Sequence, residues 1–147
     1  MVGSRESERL ARAISVLIRT LLVTGRKGAP AEGKIPFNPL YFHLLRYLNA
    51  QGPTRPSVLA GVFGVSKTTL STAAKALEKR NLLEKEPDPD DGRAHRLVLK
   101  QEGAEVVAAI ERQDLRNSHA MLNSLDPDQV EPFLAAMERI AESLDAT

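Results

Sequence analysis

Thr68, Ser71, Thr72, Lys75 and Lys79 fall within twelve residues and share a composition that a solvated helix face seldom has. At 100° per residue, Leu70, Ala73, Ala74 and Leu77 make one apolar stripe; Thr68, Thr72, Lys75 and Lys79 lie almost opposite, with Ser71 at the edge. A water-facing helix surface is usually rich in Glu and Lys, because both form helices well. Here no acid appears before Glu78. Short hydroxyls approach base edges and phosphates closely, lysines neutralise phosphates, and an acid on that face would be repelled. The chemistry on offer is contact with a polyanion. The plainer alternative is a polar helix face of uncommon composition, and the neighbouring residues decide between the two.

Those neighbours favour double-stranded DNA. Phe63-Gly64-Val65-Ser66-Lys67 joins the lysine-bearing helix to a shorter one before it, with Gly64 as a left-handed stop and Ser66 as the next N-cap. Two short amphipathic helices joined by a glycine-containing turn make a helix-turn-helix. The short helix spans about 56–63, with Val58, Leu59, Val62 and Phe63 expected inward; the lysine-bearing helix spans about 67–80 and exits at Asn81. A hairpin follows, with strands expected at 82–86 and 96–100 and Leu97 and Leu99 facing inward. Its turn holds Asp88, Asp90, Asp91 and Arg93. An arginine at such a tip suits the narrow minor groove, whose negative potential is enhanced, and Asp91 is expected to hold Arg93 by an ion pair.

The remaining elements are helical. Leu10, Ile14, Leu17, Ile18 and Leu21 stripe a first helix over 6–23. Three glycines and two prolines over 25–36 make a loop, and Asn38-Pro39 caps a helix lined by Tyr41, Leu44, Leu45 and Leu48. A long helix from Gln101 carries Ala104, Val107, Ala108, Leu115 and Leu122 on one side. Asp126, Pro127 and Gln129 start the last helix in capping-box fashion, and Val130, Phe133, Leu134, Met137, Ile140 and Leu144 line it. The fold expected is mainly α with a small β-hairpin wing. Residues 37–100 form a winged helix-turn-helix region, and residues 1–36 and 101–147 form a helical dimerisation region.

Charge agrees with that placement. The chain's net charge is only +1, yet residues 53–100 carry nine bases against six acids while the rest carries eleven against thirteen. With no cysteine there are no disulfides and no thiolate metal sites, and the apolar stretch at 16–23 is too short to span a bilayer. A cytoplasmic protein with no membrane partner is expected.

The stretch SKTTLSTAAKALEKRNLLEKEPDPDDGRAHRLVL, followed by LKQEG, resembles the MarR family of regulators, named for multiple antibiotic resistance. The resemblance covers nearly the whole chain in element order. The family often has Leu-Thr-x-x-Gly where this chain has Leu99-Lys100-Gln101-Glu102-Gly103, so the usual threonine cap is replaced by Lys100. By the resemblance, Ser66, Lys67, Thr68, Ser71, Thr72 and Lys75 match recognition-helix positions, and Asp91 and Arg93 match an Asp-x-Arg wing motif. It implies a homodimer intertwined through the first, fifth and sixth helices, reading a pseudo-palindromic operator. It further implies a repressor that answers a small aromatic or anionic effector, with Ile18, Tyr41, His43, Leu44 and Tyr47 as pocket residues; simple core packing is the competing role for each of these five.

Other classes fare worse. There is no Gly-rich phosphate loop, nucleophile elbow or His-Glu-x-x-His pattern, so an enzyme is not expected. The acids of the hairpin lack EF-hand spacing, and His43, His95 and His119 form no ligand-spaced pair, so neither metal nor cofactor is expected. A winged helix that binds protein instead of DNA is the main competitor. Such modules lose the basic reading face, which Thr68, Thr72, Lys75 and Arg93 here retain.

Overall fold

A computed structural model describes residues 1–24 and 38–147. The loop expected over 25–36 lies outside the described residues. The elements run α1 (Ser4–Ile18), a wider π-helical turn (Arg19–Thr24), α2 (Pro39–Gln51), α3 (Pro56–Phe63), α4 (Lys67–Lys79), β1 (Leu83–Pro87), β2 (His95–Leu99), α5 (Gln101–Asn123) and α6 (Pro127–Asp145). This is the expected mainly helical order with one hairpin. The chain divides into two compact units, Met1–Glu111 and Arg112–Thr147.

Local chemistry sets the helix ends of the first unit. Asn38 Oδ1 accepts from the Leu40 amide at 3.0 Å, with Pro39 at the first helical position. Gly64 ends α3 at φ 63°, and the Val65 amide donates back to Ala60 O at 3.0 Å. Asn81 ends α4 the same way at φ 64°, where an asparagine is one of the few side chains tolerated.

The core is built from leucines of several elements. Leu44, Leu45 and Leu48 of α2 meet Leu59 and Ala60 of α3, Leu70, Ala73, Ala74 and Leu77 of α4, and Leu82, Leu83 and Leu97 of the hairpin. Val106 and Val107 of α5 complete the cluster. On α3, the inward positions are Leu59 and Ala60, with Phe63 partly buried; Val58 and Val62, expected inward, are 48% and 51% exposed. Val58 and Val62 are four apart and share a face, whereas Leu59, Ala60 and Phe63 are spaced at one and three and share the adjacent one. The inward face of α5 is likewise turned from the expected side, with Gly103, Val106, Val107 and Ala109 buried and Ala104 and Ala108 only partly so.

The strands sit one residue from their expected places, β1 later and β2 earlier, and pair antiparallel with Leu83 opposite Leu99 and Glu86 opposite Arg96. Thr54, just before α3, adds a one-residue third strand. Its amide donates to Leu97 O at 3.1 Å and its carbonyl accepts from the Leu97 amide at 2.8 Å. Where α5 begins, Gly103 passes so near the hairpin that a Cβ there would lie 2.2 Å from Leu82 O and 2.6 Å from Leu99 Cδ1. Only glycine fits.

α1 buries no residue; Leu10, Ile14, Leu17 and Ile18 leave its apolar stripe open. In the second unit, Gln129 Oε1 accepts from the Asp126 amide at 2.9 Å, the return half of the expected capping box. Met137, Ile140 and Leu144 of α6 are exposed, as is Leu115 of α5. Among the described residues no helix is long and apolar enough to cross a membrane.

Candidate nucleic-acid interface

α4 carries the candidate reading face. Leu70, Ala73, Ala74 and Leu77 are buried on one side; Lys67, Thr68, Thr72, Lys75 and Lys79 are exposed on the other, and Ser71 is half-buried between them. The periodicity thus gave the right phase on this helix. Ser66 caps the helix, as expected. Its hydroxyl oxygen accepts from the Thr69 amide at 3.0 Å while its proton goes to Thr69 Oγ1 at 2.9 Å. Thr72 donates its hydroxyl proton to Thr68 O at 3.0 Å, which fixes the oxygen and leaves its lone pairs outward as acceptors. Lys67, Lys75 and Lys79 are held by no acid among the described residues.

The hairpin turn is held from within. Asp88 Oδ1 accepts from the Asp90 amide at 2.8 Å and Asp91 Oδ1 accepts from the Arg93 amide at 3.0 Å. The Ala94 amide donates to Asp91 O, and the Asp88 amide to Ala94 O, both at 3.0 Å. The expected Asp91–Arg93 ion pair is therefore not formed. Asp91 is close enough to cap the backbone two residues on, which directs its carboxylate to the Arg93 amide and leaves the guanidinium exposed. On the strands Arg96 is paired with Glu86 across the register, so Arg93 remains as the cation at the wing tip.

Two residues that sequence reasoning did not single out anchor this wing. Arg55 Nε donates to Asp88 Oδ2 at 2.5 Å, with the Asp88 side chain only 5% exposed. The guanidinium, then the Asp90 amide, hold the Asp88 carboxyl at about 2, below its ordinary 3.8, and the carboxylate in turn raises Arg55. Nothing in the sequence links positions 33 apart. Between α4 and the wing lies a cleft of about 400 Å³ whose polar lining is Arg55, Ser57, Lys67, Ser71, Lys85 and His95. Pro56, Leu70 and Ala94 complete its lining, which holds no acid.

The five residues expected around an effector divide between interior and surface. Leu44 is fully buried in the core, Tyr41 and Tyr47 are half-buried against it, and His43 and Ile18 are exposed. Tyr47 meets the Phe63 ring edge-on at 5.9 Å between centroids, a packing contact.

Residues 37–95, which hold α4 and most of the hairpin, match the profile of the MarR family. YxaD of Bacillus subtilis (strain 168), an uncharacterised HTH-type transcriptional regulator, is 32% identical over 97 residues, 66% of this chain and 68% of that protein. The chain belongs to the MarR family, whose members are winged helix-turn-helix transcriptional regulators. The MarR architecture extends over the full length. The transcriptional regulator Tm0710 of Thermotoga maritima is 26% identical, with 97% of this chain and 96% of that one superposed at a TM-score of 0.62. Streptococcus pneumoniae FabT, solved in complex with DNA, is 14% identical and shares the MarR fold over 95% and 98% of the two chains at a TM-score of 0.79.

Proposed function

We propose that this MarR-family chain is a sequence-specific regulator that binds a pseudo-palindromic operator as a homodimer and represses until a small effector releases it. The observation that carries the reading is the pairing of an acid-free Thr/Lys face on α4 with a wing whose tip cation, Arg93, is exposed and has no ion-pair partner among the described residues. Thr68, Ser71 and Thr72 take base edges in the major groove, Lys67, Lys75 and Lys79 take phosphates, and Arg93 enters the flanking minor groove. FabT, similar in fold, was solved on DNA, which supports this orientation of function.

Exposed apolar faces support dimerisation. α1 offers Leu10, Ile14, Leu17 and Ile18 to solvent, and α6 offers Met137, Ile140 and Leu144. Stripes of that length on a soluble chain mark an interface, and a two-fold interface is the commonest solution. Half-sites are then about 10 base pairs apart or a multiple of it. The effector is a small aromatic or anionic molecule, as the family resemblance implies, with Ile18, Tyr41, His43, Leu44 and Tyr47 as the candidate contacts.

The test is binding to the intergenic DNA beside the chain's own gene, with salt titrated and a scrambled competitor present. Competitor-resistant binding that weakens steeply with salt is the expected result. Absence of such binding there and in a genome-wide selection of bound fragments would overturn the operator-binding reading and leave the protein-binding winged helix as the alternative to test.

A further inference from the structure

Asp88 belongs to the acidic run of the wing, yet one oxygen of its carboxylate is bonded to Arg55, which begins the helix-turn-helix, while the other accepts from the Asp90 amide in the turn. Arg55 is the N-cap residue of α3 and makes no side-chain capping bond; its guanidinium reaches the wing instead. Next to it, Thr54 is bonded both ways to Leu97. The start of α3 therefore holds the hairpin at two levels, backbone to backbone at β2 and side chain to side chain at the turn. A two-stranded hairpin of five-residue strands is marginally stable alone, so its direction depends on such outside ties.

The tie reaches the tip through covalent and hydrogen-bonded steps. Asp88 fixes the Asp90 amide and the Ala94 carbonyl; Asp91, the next residue, fixes the amides of Arg93 and Ala94. We propose that Arg55 and Asp88 are a positioning pair that aims the wing, and with it the Arg93 guanidinium, relative to the reading face of α4. The inference rests on the DNA-binding reading above. It assigns affinity to two residues that need not touch DNA, one of which carries the wrong charge for it.

That wrong charge makes the idea testable. If Asp88 only adds negative potential beside DNA, Asp88→Asn tightens operator binding. If it aims the wing, the same change weakens binding, by about tenfold, within the coupling range of contacting residues. The carboxamide introduced by Asp88→Asn keeps an acceptor for the Asp90 amide, so the turn itself is spared, and thermal unfolding of the variant confirms that it is folded. The decisive measurement is the double-mutant cycle with Arg93→Ala, read as operator affinity of the full-length protein. Asp88→Asn should cost less than about twofold when Arg93 is already replaced by alanine. Full additivity, or tighter binding by Asp88→Asn, overturns the proposal. Arg55→Lys should recover part of what Arg55→Ala loses, since an ammonium still reaches the carboxylate. An Arg93→Ala variant with unchanged affinity removes the wing contact itself, and this proposal with it; wild-type protein that ignores sequence altogether removes the DNA-binding reading first.

Discussion

Lys75 and Thr72 lie one turn apart on the same face of α4 and should fail differently when removed. Lys75→Ala lowers affinity for operator and scrambled DNA alike and reduces the salt slope by about one, because a phosphate contact carries no sequence information. Thr72→Ala costs about 1–3 kcal/mol at the operator and relaxes preference at one base position, measured by competition with single-substituted operators. Asp88 gives a third prediction, in pH. Its folded-state pKa, about 2, is below the ordinary 3.8 because Arg55 and the Asp90 amide favour the charged form. A depressed carboxyl contributes stability that is complete above the unfolded value and is lost as pH falls through the folded one. The advantage of wild type over Asp88→Asn in urea midpoint should thus be constant above about pH 4 and shrink toward about pH 2. A difference that persists unchanged down to that pH would show that the charge of Asp88 is not its source.

At the scale of elements, two glycines separate two physical reasons for having no side chain. Gly64 has open space around it but sits at φ 63°, so Gly64→Ala costs about 1–2 kcal/mol of backbone strain. Gly103 has ordinary helical backbone but no space, and Gly103→Ala drives a methyl into Leu82 O. Thermal unfolding should show the second variant the less stable, and Gly64→Asn should recover part of the first loss while Gly103→Asn recovers none. The same contrast explains what could be read from the sequence. Caps at Asn38, Ser66 and Asp126 and the stop at Gly64 are local chemistry and were legible. So was the phase of α4, whose thirteen residues give several turns to average over. α3 has eight residues, too few for periodicity to separate Val58 and Val62 from Leu59 and Ala60. Leu82 and Leu83 are adjacent and both buried, which erases the alternation that would have placed the start of β1. The Arg55–Asp88 tie depends on how α3 and the hairpin meet, and no local pattern encodes it.

At the scale of the molecule, the open stripe on α1 predicts what a charge placed there does. Ile14→Glu together with Leu17→Glu should halve the mass seen in sedimentation and abolish tight operator binding, because one half-site alone holds too few contacts. A double variant of undiminished mass would take α1 out of the interface. The wing has a further consequence, for the search that precedes recognition. Its aspartates leave the reading unit with only a small excess of bases, in a chain whose net charge is +1. Sliding contact with arbitrary sequence is supplied almost wholly by phosphate neutralisation, so on the proposed reading the wing's aspartates, by offsetting nearby cations, should shorten contact with wrong DNA. Each encounter is short, and few copies are lost among the millions of idle sites of a genome. On the operator-binding reading, fewer copies of the protein are then needed to keep an operator occupied.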